Sequence, residues 1–268
     1  MIVNVKRTTD LSKLKTEIVL GTKYSVRNDV FTLEEIKKIA NEYPYGVYLN
    51  FDKIIHEFEL DELREYLKEV PTNVSGYYFS DFGMFELFDE LGLKDKLIYN
   101  APTLVANYMD AKVILDKGIK RVVISKEITL EEVKKIIEFN KNVEVLIHGK
   151  INMFYSKRKL LSLFYEYSKL DKEYDKMSLV EQTRNDKLSI LEDQNGTHIF
   201  SNGILDSYDE VKELDCALRI DGFYLEDDEL LKEIDTYNKI LEDKDVDLDL
   251  EGKNSGFYYK ETVYQKQK

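Results

Sequence analysis

Short apolar runs, each followed by a stretch with helical spacing, recur along most of this chain and limit what it can fold into. Runs of this length that are rich in Val, Ile and Leu are typical of buried strands. The first clear run is Glu17–Gly21, and Thr32 then opens a capping box with Glu35 at the start of a helical pattern. The six clearest runs occupy residues 17–21, 46–50, 74–79, 96–100, 121–125 and 143–147.

Two weaker strand–helix units, at residues 196–214 and 217–241, bring the number of units to eight. A helix between nearly all successive strands implies parallel pairing with right-handed crossovers, and eight such units make a closed (β/α)8 barrel. An open doubly wound sheet is the alternative, although no Gly-x-Gly-x-x-Gly motif follows the first strand. The sequence therefore predicts an α/β fold, a TIM-barrel-like single domain over residues 1–242.

Three further segments are assigned around this barrel. Residues 2–5 are expected to form an edge strand or an arm before the first unit. A polar insertion at about residues 171–194 follows the sixth strand and is expected to cap the carboxyl end of the barrel. Residues 243–268 form a tail that mixes an acidic run with Gly256 and Phe257, and we expect this tail to close on the barrel.

Composition narrows the classes of function. The chain has 268 residues and a net charge of −13, which repels nucleic acid at long range unless a local basic face or a basic partner supplies the contacts. Its single cysteine, Cys216, excludes an internal disulfide and cannot build a thiolate cluster alone. No apolar run reaches the length of a membrane span, and the amino terminus carries no recognisable export signal. A cytoplasmic protein is expected.

The carboxyl ends of parallel barrel strands converge on one mouth, so the polar residues that follow the apolar runs are candidates for a shared site. Most of them are amides, hydroxyls and cations, and guanidinium groups bind carboxylate or phosphate in a planar, two-pronged way. This lining predicts a site for a small anionic substrate. The expected mouth residues are Arg27, Asn50, Ser80, Asn100, Ser125, His148, Asn152, Arg158, His198, Arg219 and Asp221.

Residues 143–162 are the strongest candidate segment, because a strand run ends there in His148-Gly149 and is followed by three consecutive cations at 157–159. His148 is either a catalytic base or a structural histidine, and the same two interpretations apply to His198 beside its turn. The cationic triplet is either an anion site or a solvated surface. The phosphate-loop, zinc-protease and serine-hydrolase motifs are absent from the sequence.

Several of these segments also form a recognisable pattern. They are His148-Gly149 followed by Ser156-Lys157-Arg158, Gly21 with Tyr24-Ser25-Val26-Arg27, Asn100 with Asn107, Leu218-Arg219-Ile220-Asp221-Gly222, and Gly256-Phe257. Over nearly the whole chain this pattern resembles the collagenase-like peptidases of unassigned catalytic type, peptidase family U32. With Glu192-Asp193 and Gly196-Thr197-His198, the chain resembles the short subunit of bacterial proteins for prephenate-dependent hydroxylation of the tRNA wobble uridine. The resemblance implies a barrel-like fold, a role in RNA modification and a paralogous partner.

The chain departs from this family at two cysteine positions. Many relatives have a cysteine three residues after His-Gly and another directly after the Ser-x-Arg arginine, where this chain has Asn152 and Lys159. Because an iron–sulfur cluster needs about four thiolates, the resemblance implies that this chain holds none. A paralogous family member carrying cysteines is then the expected partner, prephenate the expected co-substrate, and tRNA is expected to bind through that complex.

Three functions are compatible with these observations: a subunit for 5-hydroxylation of the tRNA wobble uridine, a peptidase as the family label says, and a non-catalytic partner of a cysteine-bearing paralogue. For the first function, His148 and Arg158 are the expected catalytic residues, and no metal ligand is expected. The expected substrate-binding residues are Arg27, Asn50, Asn100, Asn152, Ser156, Lys157, His198 and Arg219.

Overall fold

The computed structural model describes residues 1–27, 29–101, 104–170, 178–180 and 187–260. Strands and helices are numbered in chain order. The strands are β1 (Ile2–Asn4), β2 (Glu17–Gly21), β3 (Val47–Phe51), β4 (Gly76–Phe79), β5 (Leu97–Tyr99), β6 (Arg121–Val123), β7 (Val143–Gly149), β8 (Asn152–Ser156), β9 (Ser178–Val180), β10 (Lys187–Asp193), β11 (Gly196–Phe200), β12 (Ile204–Asp206), β13 (Ala217–Asp221) and β14 (Lys253–Asn254). The helices are α1 (Leu33–Glu42), α2 (Leu60–Glu69), α3 (Phe82–Glu90), α4 (Tyr108–Leu115), α5 (Leu130–Phe139), α6 (Leu160–Ser168) and α7 (Asp227–Leu241).

Eight parallel strands form a closed barrel, which confirms the (β/α)8 TIM-barrel-like fold predicted from the repeating pattern. Strands β1 to β7 follow one another around the barrel, and β13 pairs with both β7 and β1 to close it. Capping boxes begin α1 at Thr32 with Glu35, and α5 at Thr129 with Glu132. Because the strands are parallel, all their carboxyl ends open on the same mouth.

The barrel interior contains an apolar cluster and a buried ionic cluster. A small apolar cluster inside it consists of Ile2, Val19, Tyr48, Tyr78, Ile98 and Val123. Beside this cluster lies a fully buried carboxylate, Glu144 of β7, which accepts hydrogen bonds from Tyr78 Oη (2.7 Å) and Arg121 Nη1 (3.0 Å). Arg219 Nε of β13 lies 3.2 Å from the other Glu144 oxygen. A buried ionic cluster therefore occupies the barrel interior below the mouth.

Two strand assignments made from the sequence are wrong. The run at residues 196–201 is not a barrel strand, because it forms β11 of a second, antiparallel sheet with the order β8-β11-β10-β9. The eighth barrel strand is instead β1, which inserts between β2 and β13 and buries Ile2 and Val3. Strand β11 pairs with β10 and not with a barrel strand, because β10 comes directly before it and the two form a hairpin across the turn at Asn195 and Gly196.

The second sheet and the carboxyl-terminal segment lie beside the last turn of the barrel. Strands β9 and β10 belong to the predicted polar insertion, of which residues 171–177 and 181–186 fall outside the described residues. Where the sequence predicts a helix over 206–214, the chain ends β12 and forms a 3-10 turn at Val211–Glu213. Strand β12 pairs with the end of β7 and with β14 of the tail. Within the described ranges, no helix combines the length and apolar character that crossing a bilayer requires.

Candidate functional site

A cavity of about 440 Å³ opens at the carboxyl ends of the barrel strands. It brings together six of the residues that the sequence placed at a shared mouth, which are Arg27, Asn50, Ser80, Asn100, Asn152 and Arg219. Four polar residues not predicted there also line it, namely Asn4, Asp52, Lys126 and Tyr155. Apolar side chains complete the wall, namely Val26, Ile54, Ala101, Leu104, Met153 and Phe154.

Arg27 reaches the cavity from the loop after β2 and is held by Asp221 at the end of β13. The two side chains form a two-pronged ion pair, with Nη1–Oδ1 at 2.8 Å and Nη2–Oδ2 at 2.6 Å, and the guanidinium lies over the Phe223 ring. Burial opposes ionisation of Asp221, but the Arg27 charge outweighs it and lowers the pKa of Asp221 to about 2. Arg27 is therefore a fixed cation whose charge is largely neutralised by its partner.

Arg219 projects into the barrel from β13 and is fixed from below by Glu144. Its guanidinium lies over the ring of Tyr78, and its Nε is 3.2 Å from Glu144 Oε1. Since Arg121 contacts the other oxygen of the same carboxylate, one negative charge serves two guanidinium groups. The pair of arginines therefore leaves an excess of positive charge beneath the cavity.

Lys126 is one of the four polar lining residues that sequence reasoning missed. It lines the cavity immediately after Ser125, and within the described part of the chain its ammonium has no hydrogen-bond or ion-pair partner. Burial, together with the charge of Arg219, lowers the pKa of Lys126 to about 8. The available signal was its position directly after the apolar run at residues 121–125, three residues beyond the end of β6. Ser125 itself is buried, accepts a hydrogen bond from the Glu127 backbone N–H (3.2 Å), and does not line the cavity.

The second sheet forms one wall of the mouth through β8. Asn152 lines the cavity and its Nδ2 lies 3.1 Å from His198 Nδ1, while the Tyr155 ring stacks on the His198 imidazole. Burial lowers the pKa of His198, which is fully enclosed behind these two residues. The expected mouth position of His198 is therefore wrong, because it lies in the layer behind the cavity, where it orients Asn152.

The hairpin turn at Asn195 fastens this wall to the first loop. Asn195 Nδ2 donates to the backbone oxygens of Ser25 and Val26, next to Arg27 in sequence, at 3.3 and 3.2 Å. Gly196 has a φ of +136°, and a Cβ there would lie 2.0 Å from the backbone oxygen of Ser156. The close approach of β11 to the end of β8 therefore requires glycine.

His148 does not lie at the mouth, contrary to the expectation from sequence. Strand β7 carries one extra residue opposite the step from Arg219 to Ile220, so that Leu146 pairs with Arg219 and His148 with Ile220. Such a bulge changes which face the following side chains point to. His148 is therefore fully buried on the outer side of the barrel, with Nδ1 3.4 Å from Tyr237 Oη and 3.8 Å from Glu233.

The surroundings of His148 are structural in character. Glu233 of α7 accepts a hydrogen bond from Tyr208 and pairs with Lys253 of β14 at 2.7 Å. Burial lowers the pKa of His148 to about 4, although Glu233 opposes this shift, so the imidazole is neutral near pH 7. The cluster joins β7, α7 and the carboxyl-terminal segment behind the barrel wall.

The cationic triplet lies in the loop between β8 and α6, outside the cavity. Lys157 Nζ donates to the Ile54 backbone oxygen (2.9 Å) and to Glu59 (3.2 Å), which fastens this loop to the one after β3. Arg158 is exposed, and its backbone N–H donates to Ser156 Oγ at 3.2 Å. The expected position of Arg158 inside the mouth is wrong. Arg158, like Ser156 and Lys157, instead belongs to the rim region beside Ile54.

Glu192 explains part of the sequence pattern around Gly196. Its carboxylate, on β10, accepts hydrogen bonds from the backbone N–H groups of Leu161 (2.8 Å) and Ser162 (3.2 Å) in the first turn of α6. Thr197 Oγ1 accepts another from Leu160 N–H at 2.9 Å. Burial would raise the pKa of Glu192, but the bonds from Ser162 and the helix backbone lower it. The second sheet thus caps α6 and fixes the loop that carries Arg158.

The side chains present do not fit an iron–sulfur cluster. Asn152 is bound to His198, and Lys159 is exposed at the start of α6. Cys216 directly precedes β13 and therefore lies at the end of the barrel opposite the mouth. Burial raises the pKa of this thiol to about 12, which disfavours a thiolate.

Comparison with known proteins gives the chain its family. It is 28% identical over 273 residues to tRNA hydroxylation protein P2 of Bacillus subtilis, covering 87% of each chain. It is 30% identical over 175 residues to Uncharacterized protease MJ0090 of Methanocaldococcus jannaschii, covering 58% of this chain and 42% of the relative. It is 26% identical over 171 residues to tRNA hydroxylation protein P of Helicobacter pylori, covering 57% and 40%. A family model described as Peptidase family U32 matches residues 15–262, and the chain therefore belongs to peptidase family U32.

Proposed function

We propose that this chain acts in 5-hydroxylation of the tRNA wobble uridine and that its barrel mouth binds a small dicarboxylate, with prephenate as the co-substrate. The RNA part of this proposal is supported by the family membership and by two similar proteins that are named as tRNA hydroxylation proteins. The cationic cavity supports the anionic co-substrate.

The observation that carries the proposal is an ammonium without a bonded carboxylate in the same cavity as two anchored guanidinium groups. Arg27 and Arg219 line the same cavity as Lys126, and each arginine already has a carboxylate partner. Lys126 has none among the described residues. Lys126 is half-buried, and an ammonium partly removed from water without a bonded counter-ion costs free energy, which an anionic ligand would offset. We therefore assign the first contact with a carboxylate to Lys126, with Arg219 as the second cation.

The remaining polar side chains orient the ligand in this proposal. Asn50 and Asn100 offer amide groups in the same cavity, and Asn152 is held in place by His198. His148 acts structurally, and Arg158 acts at the rim. These two roles replace the catalytic roles expected from the sequence.

The partner in this proposal is a paralogous family member that carries cysteines. This chain lacks the thiolates, and we assign to the complex any chemistry that requires them. The present chain contributes the anion-binding mouth and part of the RNA contact.

Mass spectrometry of tRNA nucleosides after deletion of the gene tests the proposal. We expect 5-hydroxyuridine derivatives to fall in the deletion strain and to return when the wild-type gene is restored. A gene carrying Lys126→Gln should restore them poorly, whereas Lys117→Gln, on the exposed end of the loop after α4, should restore them fully. Unchanged 5-hydroxyuridine derivatives in a strain that normally makes them would refute the proposal.

The peptidase alternative has only the family label and the name of one similar protein in its favour. A hydrolytic site of the Ser–His or Cys–His type needs a histidine bonded to the nucleophile. In the described structure, His148 is bonded to Tyr237 and His198 to Asn152. We therefore do not propose proteolysis.

A further inference from the structure

The cavity wall divides into two chemically different parts along the order of the barrel strands. Asn50, Ser80 and Asn100 lie at the carboxyl ends of the consecutive strands β3, β4 and β5 and make an arc of amide and hydroxyl groups, which we call the polar arc. The carboxylate of Asp52 lines the same wall two residues after Asn50. Lys126 follows β6, the neighbour of β5, and Arg219 lies on β13. An anion is attracted to these two cations and repelled by Asp52, so the polar arc is left for a neutral polar group.

The polar arc has unused hydrogen-bonding capacity. Asn100 is more than nine-tenths buried, and its Oδ1 has no hydrogen-bond partner among the described residues. Asn4, at the end of β1, is half-buried, but its Oδ1 is also enclosed and has no hydrogen-bond partner among the described residues. A buried acceptor without a donor costs free energy. A ligand that presents N–H groups would satisfy these two oxygens.

Exposed apolar side chains surround the opening above this arc. Ile54 follows β3, Leu104 follows β5, and Met153 and Phe154 project from β8, so that three separate segments supply them. All four are exposed although they line the cavity. Large apolar side chains gathered at a polar cavity mark a binding site more often than scattered exposed ones do. We call these four residues the apolar rim.

Two exposed cations lie next to the apolar rim. Lys157 Nζ donates to the backbone oxygen of Ile54, which places the following residues Arg158 and Lys159 beside this part of the opening. Both side chains are exposed and have no ion-pair partner within the described residues. In a chain with a net charge of −13, two free cations at this position are a local departure from the overall charge.

These observations match one ligand chemistry: a flat ring with N–H donors, attached to a negatively charged backbone. From the cavity wall, the apolar rim and the adjacent cations, we infer that the opening takes an unpaired nucleobase of an RNA strand. The base lies against Phe154, its edge donates to Asn100, and the phosphates on either side contact Arg158 and Lys159. Recognition of single-stranded RNA commonly combines stacking on aromatic side chains with cationic backbone contacts.

A protein partner fits the same opening less well. The surface of a folded partner would cover the apolar rim, but the unpaired oxygens of Asn4 and Asn100 lie recessed in the cavity. A base that turns out of an RNA loop can enter a recess of this kind. The inference rests on the proposed function only in assuming that RNA is the natural ligand.

The test measures binding of a short fluorescent RNA hairpin with unpaired uridines in its loop, by anisotropy at one fixed low ionic strength. A duplex of equal length serves as the second probe. We expect the wild-type protein to prefer the hairpin and Phe154→Ala to bind it roughly 5- to 100-fold more weakly, as expected for loss of one stacked base. Phe154→Tyr keeps the ring and should retain hairpin binding.

Phe139→Ala is the matched control, because Phe139 on α5 and Phe154 are both 43% exposed. This variant should bind the hairpin as the wild type does. Equal affinity of wild type and Phe154→Ala, equal affinity for hairpin and duplex, or no hairpin binding by the wild type would each overturn the inference. Loss of a protein partner in Phe154→Ala with unchanged RNA binding would show that the rim is a protein interface.

Failure of this inference can be told apart from failure of the proposed function. If deletion of the gene lowers the tRNA 5-hydroxyuridine derivatives but Phe154→Ala still binds RNA normally, only the rim assignment is wrong. If deletion leaves these nucleosides unchanged, the proposed function is wrong, whatever the hairpin experiment gives.

Discussion

Replacing Lys126 by glutamine should weaken anion binding at the barrel mouth and stabilise the fold at the same time. The reason is that Lys126 is half-buried near Arg219 and, among the described residues, is bonded to no carboxylate. The positive charge of Lys126 therefore raises the free energy of the folded state, and a bound anion lowers it again. Opposite effects on binding and on stability are typical of a residue maintained for function rather than for the fold.

The expected size of the stability effect comes from the lowered pKa. Burial and Arg219 lower the pKa of Lys126 from 10.5 to about 8, and each unit corresponds to about 1.4 kcal/mol. This gives an upper limit of about 3 kcal/mol, and water at the open mouth reduces it. We expect Lys126→Gln to raise the free energy of unfolding at pH 7 by about 1–2 kcal/mol.

The sign of the pH dependence follows from proton binding. The unfolded chain keeps Lys126 protonated up to about pH 10.5, whereas the folded chain releases this proton near pH 8. Unfolding therefore takes up a proton between these values, and the wild-type contribution to stability should rise with pH across that window. Lys126→Gln should lack this rise. Its advantage over the wild type should shrink as the pH approaches 10.

Anion affinity should change with pH in the opposite direction. With a pKa of about 8, roughly nine-tenths of the free protein carries the charge at pH 7 and roughly one-tenth at pH 9, so the apparent Kd should rise about tenfold. Asp221, with a pKa of about 2, and Tyr155, with a pKa of about 12, do not titrate in this range. Lys126→Arg should bind equally well at both pH values.

Isothermal titration calorimetry with prephenate at pH 7 and pH 9 measures the affinities, and urea unfolding measures the stabilities. Lys117→Gln removes an exposed lysine and should behave as the wild type in both assays. A wild-type Kd that is the same at both pH values would refute the reasoning. A lower free energy of unfolding in Lys126→Gln at pH 7 would refute it as well, since it would mean that the ammonium has a stabilising partner.

Two further substitutions test the framework that holds the cations. Glu144→Gln should lower the free energy of unfolding by about 3–5 kcal/mol in urea denaturation, because two buried guanidinium groups lose their counter-ion. Glu90→Gln is the control, because Glu90 forms an exposed ion pair with Arg64, and it should lower the free energy of unfolding by less than about 1 kcal/mol. Gly149→Ala should lower the free energy of unfolding by about 1–3 kcal/mol, because φ at this position is +132° and the new Cβ would lie 2.8 Å from Cβ of Asp221. A thermal unfolding midpoint equal to that of the wild type would contradict the close approach of β7 and β13.

The barrel and much of its mouth could be predicted because their signals are local. Apolar runs mark β2 to β7, and parallel pairing sends the residues after each run to the same end. The sequence therefore correctly predicts that one cavity contains Arg27, Asn50, Asn100 and Arg219. This success depends only on the direction of the strands.

What could not be predicted depends on contacts between distant segments. The bulge in β7 exists because of its register with β13, and it turns His148 to the outer face. Strand β11 has the apolar character of a barrel strand but pairs with β10 and β8. Lys126 could not be recognised, since a lysine after a strand is ordinary until its neighbours are known. Its importance lies in having no bonded carboxylate among the described residues, although the charges of Asp221 and Asp52 act on it.

The ionic cluster around Glu144 has a consequence for the speed and selectivity of ligand capture. A free arginine side chain loses up to about 2 kcal/mol of rotamer freedom when a ligand immobilises it. Arg219 has already lost that freedom on folding, because Glu144 and the Tyr78 ring hold it. An arriving carboxylate meets a receptor of set shape, and a ligand whose charges are spaced differently cannot draw the guanidinium towards itself. The fixed position of the Arg219 guanidinium therefore favours ligands whose negative charges are spaced to match the cations of the cavity.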